Sequence, residues 1–195
     1  MTGHHVLTWD VTASGGLETA WVEIGHDPAG PAVLRGRGRA AGREPEPYWL
    51  SYALETTGAD FVTRQLTVRV EDAHGSRELE LRRSTAGGWT VDGGARPDLE
   101  GALDCDLGLC PLTNTMPVLR HALHREPGEH RFLMAWVSVP DLTVRPSRQT
   151  YTHLGRTAAG GAVVRYASEG FAADVEFDAD GLVTEYPRLA RRIAP

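Results

Sequence analysis

The sequence predicts a mainly β fold built as a meander of antiparallel strands with one or two short helices, and three observations carry that expectation. Apolar residues recur at every second position through much of the chain, the period of a strand with one buried face. Gly- and Asp-containing clusters punctuate those runs, as tight connections between paired strands require. Helical periodicity is confined to little more than one stretch.

Along the chain, the clearest strand is 61–70, where Leu66, Val68 and Val70 share one face. Arg77-Glu-Leu79-Glu-Leu81-Arg82 repeats the alternation with its charges outward. Between them Asp72-Ala-His-Gly75 reads as a hairpin connection, because glycine takes the left-handed backbone that a tight turn needs. Gly87-Gly88 and Gly93-Gly94 bracket Trp89-Thr-Val91 in the same way. In the carboxyl half, strands are expected at 162–166, 171–177 and 182–186, separated by Glu169-Gly170 and Asp178-Ala-Asp180-Gly181. The run from Tyr52 to Gly75 echoes that from Tyr166 to Gly181, which suggests two similar halves, although all antiparallel hairpins share this look.

The best helix candidate runs from Thr115 through Arg125. Thr113, Asn114 or Thr115 can cap it, Pro117 suits a first turn, and Met116, Leu119 and Leu123 recur on one face. His121, His124 and Arg125 suit a carboxyl end, and Pro127-Gly128 stops the run. A strand over 118–123 competes with this reading. Tyr186 to Ile193 is read as one further helical turn.

At 195 residues, with 41% hydrophobic and 24% charged residues, the chain is expected to be one globular domain spanning 1–195. A formal charge of -6 argues against an electrostatic nucleic-acid binder. No apolar run reaches the length of a membrane helix, and the amino terminus lacks a basic start before an apolar core. With Cys105 and Cys110 as its two cysteines, the chain is expected to be cytoplasmic with reduced thiols.

One segment concentrates unusual residues. Asp104 to Arg120 gathers two carboxylates, two thiols, two prolines, a Thr-Asn-Thr run and a terminal Arg in seventeen residues. Asp104 and Asp106 share one side of a strand, about 6.5 to 7 Å apart at the backbone. Paired carboxylates can run acid–base chemistry, but an Asp-rich stretch before a turn more often bonds nearby groups, and that structural role is preferred. No metal or cofactor motif emerges. His121 and His124 lack the Glu of a zincin, the cysteines are not spaced as a zinc knuckle, and Asp178-Ala-Asp180-Gly181 lacks the rest of a calcium loop. No catalytic residue is assigned. Arg35-Gly36-Arg37-Gly38-Arg39 puts three arginines on one strand face and two glycines on the other, with a sheet bend as the expected reason for the glycines. Of the five tryptophans, one or two are expected to line a cavity and the rest to fill the core.

Asp104-x-Asp106, Pro111-x-Thr113-Asn114-Thr115-x-Pro117-x-x-Arg120 resembles the central signature of the bacterial putative glycolipid-binding family. Flanking pieces agree in order: Tyr52, Phe61-Val-Thr-Arg64, Trp89, Trp136-Val-x-Val-Pro140, Gln149-x-Tyr151, Arg165-Tyr166, and Asp178-x-Asp180-Gly-Leu-Val183-x-x-Tyr186-Pro187. Cys110 departs from the small or polar residue expected before Pro111. The resemblance implies a curved antiparallel sheet, a half-barrel or incomplete barrel like that of lipoprotein carriers, holding a glycolipid or fatty-acyl ligand in its concave face. It places the Asp104–Arg120 segment at the mouth, with Asp104, Asp106, Thr113, Asn114, Arg120, Gln149 and Tyr151 as candidate ligand-binding residues. Arg120 is expected to pair with Asp104, Asp106 or a head-group phosphate. Two alternatives stand beside this reading: a small hydrolase or isomerase using Asp104, Asp106 and His121, and a ligand-free interaction module or homodimer.

Overall fold

The structure, a computed structural model, describes residues 2–25, 33–58 and 60–193. The first half holds β1 Thr2–Val11, β2 Gly16–Gly25, β3 Val33–Gly42, β4 Tyr48–Thr57, β5 Val62–Asp72, β6 Gly75–Arg83, β7 Trp89–Val91 and β8 Gly94–Ala95. The second half holds β9 Asp104–Leu107, β10 Glu129–Val137, β11 Val144–Arg156, β12 Ala162–Ser168, β13 Phe171–Phe177, β14 Val183–Tyr186 and β15 Ala190–Arg192. All join one sheet, ordered from β8 back to β1, then from β15 back to β9. Two meanders therefore meet where the terminal strands pair, with Trp9 opposite Arg192 and Asp10 opposite Arg191.

The expected hairpins form. Asp72 pairs with Gly75, and the His74 N–H donates to Asp72 Oδ1 at 2.8 Å. At the second Asp-rich turn, Asp178 Oδ1 accepts from the Asp180 and Leu182 N–H groups at 2.9 and 3.0 Å, the side-chain bonds of a tight turn. Among the described strands, β9 and β10 form the one parallel pair, with Asp104 opposite Met134 and Asp106 opposite Trp136. A parallel pair needs a long crossover, and the stretch after β9 supplies it.

The sheet curls without closing into a laddered barrel. Instead β9 leans onto β5: the Thr63 N–H donates to the Leu103 carbonyl, and the Cys105 N–H to Thr63 Oγ1, both at 3.0 Å. Side chains alternate accordingly, so that Tyr48, Leu50, Tyr52 and Leu54 of β4 face the interior. The hollow they face is filled. Leu99, ahead of β9, and Leu107, Leu112 and Met116, from β9 and the segment inserted between it and β10, are buried there against Leu7, Trp9 and Leu66. Each such side chain is worth roughly 1.5 to 3 kcal/mol of burial, so four of them rival the whole stability of a small domain, about 5 to 15 kcal/mol. The inserted segment belongs to the core.

The glycines of β3 are explained by this filling and not by the expected bend. A Cβ on Gly36 would lie 2.4 Å from Leu112 Cδ2, and one on Gly38 would lie 2.2 Å from the Tyr52 ring. A second core beneath β10–β14 contains Val118, Leu123, Met134, Tyr151, Tyr166 and Phe177.

Two local expectations are corrected. Helix α1 spans only Thr115–Arg120, after short 3-10 turns at Pro97–Leu99 and Pro111–Asn114. It stops early because Ala122 turns left-handed at φ 51° and the Leu123 N–H folds back onto the Val118 carbonyl at 2.9 Å. Asn114 precedes the helix without capping it, since its side-chain oxygen is taken by Tyr151. The expected helical turn over Tyr186–Ile193 is instead the hairpin between β14 and β15, reversed at Arg188 with φ 68°. Pairing of β15 with the amino-terminal strand extends that backbone. No helix among the described residues is long and apolar enough to cross a membrane.

Candidate functional site

Asp104 is buried at the start of β9, where the Arg120 guanidinium grips both of its oxygens, one at 2.6 Å from Nη1 and the other from Nη2. Arg120 Nε donates to the Asp60 carbonyl at 2.7 Å. Burial pushes the Asp104 carboxyl up and the Arg120 fork pulls it back. Three of its five N–H donors are used internally and its side chain is 6% exposed, so Arg120 presents little to a head group.

Asp106 lies two residues on and joins a separate network. Its Oδ2 accepts from Gln149 Nε2 at 2.6 Å, and the Thr113 hydroxyl lies 3.1 Å from Oδ1. The same hydroxyl accepts from the Leu107 N–H at 3.2 Å. The Tyr151 hydroxyl donates to Asn114 Oδ1 at 2.9 Å and lies 3.3 Å from Gln149 Oε1. Five of the seven candidate residues thus form one connected chain: Thr113, Asp106, Gln149, Tyr151 and Asn114. It fastens the inserted segment to β11. Burial raises the Asp106 carboxyl, while the Gln149 and Thr113 donors oppose that shift. The Tyr151 phenol is held well above its usual range, first by burial and then by the Asp106 charge.

Only Asp106 and Asn114 of those residues reach open space. They floor a cleft of about 380 Å³ beside β10–β14, whose walls carry Trp136, Tyr166, Phe171 and Tyr186. Tyr166 meets Tyr151, Phe171 and Tyr186 at ring-centroid distances of 5.4, 5.9 and 5.9 Å, so the aromatic wall is a packed array. Arg145 lies 4.4 Å over the Trp136 ring, covering one of its faces. Past Arg145, Ser147, Ser168 and Glu169 the cleft continues into an open groove of about 750 Å³ that reaches Arg148. Burial pushes the Tyr166 phenol up to about 12, keeping it a neutral donor at ordinary pH.

The inserted segment therefore runs beneath the sheet, not across its mouth. Asp104, Asp106 and His121 do not converge either. His121 stacks on His130 with centroids 3.8 Å apart, away from the cleft lining. Among the described residues there is no group of three or more His, Cys, Asp or Glu side chains placed to hold a metal. Both cysteines are free and buried.

Sequence reasoning missed the wall. Trp136 and Tyr166 share the inward parity of Met134 and Val164 on their strands, but nothing in a single strand tells a cleft wall from a core layer. It also missed Glu18, 1% exposed, whose Oε1 accepts from the Tyr52 hydroxyl at 2.6 Å and the Cys110 thiol at 3.3 Å. Burial pushes the Glu18 carboxyl up to about 7, against the two donors. A signal was present, since Glu18 shares its parity with the buried Ala20 and Val22. Of the tryptophans, Trp9 and Trp89 are core, donating to the Val183 and Ala102 carbonyls at 3.0 Å each, while Trp21 and Trp49 are exposed.

No curated protein matches the chain. Among solved structures it is similar to the crystal structure of a DUF1089 family protein from Pseudomonas aeruginosa, with 31% identity and a TM-score of 0.70 over 89% of this chain and 92% of that one. The sequence model of the family described as "Putative glycolipid-binding" matches residues 6–192, so nearly the whole sheet, the inserted segment and the cleft walls fall inside the match. The chain belongs to the putative glycolipid-binding family.

Proposed function

We propose that the chain, acting as one domain, binds the sugar-like head of an amphipathic ligand, a glycolipid or related acyl species, in the cleft beside β10–β14. The observation that carries this reading is the pairing of an aromatic wall with a floor of pre-aligned polar groups. Trp136, Tyr166, Phe171 and Tyr186 offer π-surface to the C–H faces of a sugar ring, while Asp106 and Asn114 face its hydroxyls. Asp106 and Asn114 touch the ligand in this reading. Thr113, Gln149 and Tyr151 position them, and Asp104 with Arg120 holds the segment. Family membership supports a glycolipid over other amphiphiles. The acyl part lies outside the hollow of the first half, because Leu99, Leu112 and Met116 occupy it.

Acid–base catalysis is less well supported. Both Asp104 oxygens are held by one guanidinium, and both Asp106 oxygens have partners of their own.

Titration calorimetry with an octyl glucoside below its micelle concentration, and native mass spectrometry with a galactolipid in nanodiscs, test the proposal. Trp136→Ala and Phe171→Ala, both at half-buried positions, are expected to weaken glycoside binding on the order of tenfold with melting little changed. Absence of glycoside and glycolipid binding in the unaltered protein overturns the proposal, as does binding indifferent to both variants.

A further inference from the structure

Six large apolar side chains are exposed among the described residues, and four of them gather on the outer face of β1–β4. They are Val6, Leu17, Trp21 and Trp49, exposed by 65, 51, 52 and 70%. Register makes them one patch. Val6 stands opposite Trp21, Trp21 opposite Arg37, Leu17 opposite Ala41, and Ala41 opposite Trp49, on strands about 4.8 Å apart. A shallow groove of about 680 Å³ runs between Trp21 and Trp49, past Leu17, Ala41 and Arg39.

The charges in this patch have a pattern. Arg35, Arg37 and Arg39 point outward from β3 because Gly36 and Gly38 face the filled interior. The surrounding carboxylates are compensated: Glu23 pairs with Arg35 at 3.6 Å, Glu55 with Arg64 at 4.0 Å, and Glu71 with Arg69 at 2.7 Å. Asp10, on the rim, is the exception: Arg191, opposite it on β15, pairs with Glu185 at 3.3 Å, and Asp10 forms no ion pair among the described residues. Arg37 and Arg39 form no ion pair among the described residues. The uncompensated charge at the centre is thus positive, in a chain whose net charge is -6.

We infer that this outer face docks on an anionic lipid surface. Tryptophans seat at the level of the head groups, and arginines beside them meet lipid phosphates while their stems lie along apolar surface. A second copy of the chain fits less well, because a two-fold interface would bring like arginines together near its axis. The patch lies on the outer face and the cleft on the inner one, so docking does not occlude the cleft. This inference does not depend on which head group the cleft accepts.

The full chain is tested by co-sedimentation with phosphatidylcholine vesicles made with and without phosphatidylglycerol. Tryptophan emission and its quenching by brominated acyl chains serve as a second readout. Binding is expected only with phosphatidylglycerol, to weaken with added salt, and to fall on the order of tenfold or more in Arg37→Glu/Arg39→Glu and in Trp21→Ser/Trp49→Ser. Circular dichroism checks that both variants remain folded, and Leu154→Ser, at an exposed position outside the patch and the cleft, is expected to sediment like the unaltered protein. Three results overturn the inference: no sedimentation with anionic vesicles, sedimentation indifferent to both double variants, or a concentration-dependent dimer that Trp21→Ser/Trp49→Ser dissolves. The last assigns the face to a second copy.

Discussion

The ring of Tyr52 lies across Gly38, so close that a Cβ there would stand 2.2 Å from Tyr52 Cε1, and its hydroxyl donates to the buried Glu18 at 2.6 Å. The glycine makes room for the ring, and the hydrogen bond keeps the ring from moving aside.

Gly38→Ala is therefore expected to destabilise the fold by about 1 to 3 kcal/mol, the usual cost of overpacking. In a Tyr52→Ala background the clash is gone, and the same alanine should instead stabilise by about 0.4 to 1 kcal/mol through the unfolded chain. Urea unfolding of the four proteins of this cycle measures both numbers. Equal costs in the two backgrounds would show that the ring can yield.

Asp104 and Arg120 form a second closed relationship, with side chains 1% and 6% exposed. Arg120→Ala leaves a buried carboxylate without its cation and should cost about 3 to 5 kcal/mol. Replacing both, as Asp104→Leu/Arg120→Met, removes the charge with its partner and should cost less than that single change. Chemical denaturation discriminates between the two; a double variant weaker than Arg120→Ala alone would mean that the pair contributes net stability.

Glu18 makes stability depend on pH. Its carboxyl titrates near 7 in the folded chain against a reference of 4.5. Below 4.5 both states are protonated and the contribution is neutral. As pH rises toward 7 the unfolded chain ionises first, so folding stability falls across that window and levels off above it. The full loss is about 3 kcal/mol, because each tenfold difference in acidity between the two states is worth about 1.4 kcal/mol. Glu18→Gln keeps the acceptor and should flatten that part of the profile, leaving the slope contributed by the other raised carboxyls, Asp104 and Asp106. Melting temperatures measured across the window decide it; parallel profiles for the two proteins would place the titration elsewhere.

Much of the fold is legible in the sequence because its strands alternate strictly. Tyr48, Leu50 and Tyr52 against Trp49 already tells which side of β4 faces solvent, and Asp72-Ala-His-Gly75 admits little but a hairpin. Residues 104–120 stand out by composition, and the expected pairing of Arg120 with Asp104 forms, while the bonds that link Thr113, Asp106, Gln149, Tyr151 and Asn114 are not legible in the sequence. What single-strand periodicity cannot carry is where that segment goes. Its placement depends on Leu112 finding the space above Gly36, a contact across seventy-six positions that neither residue announces. The parallel pairing of β9 and β10 follows from that insertion, and so does the cleft, which is the part of the inner face that the segment leaves uncovered. The expected mouth became a floor for the same reason.

The two cysteines offer a direct report on whether that segment ever leaves. Cys105 and Cys110 are 0% and 4% exposed, and burial holds the Cys105 thiol up at about 12 and the Cys110 thiol well above its usual range. A thiol of this kind is unreactive until it reaches water. Ellman's reagent at mildly alkaline pH should leave both untouched in the native protein and label them at the rate of unfolding. A head group seated only in the cleft stabilises the folded chain and should slow that labelling. An acyl chain that entered beneath the sheet would have to displace Leu112 and Met116, and Cys110 with them, so it would speed labelling. Slowed labelling by an octyl glucoside and by a long-chain glycolipid alike is the expected result; acceleration by the long-chain ligand alone would show that the segment gives way to lipid.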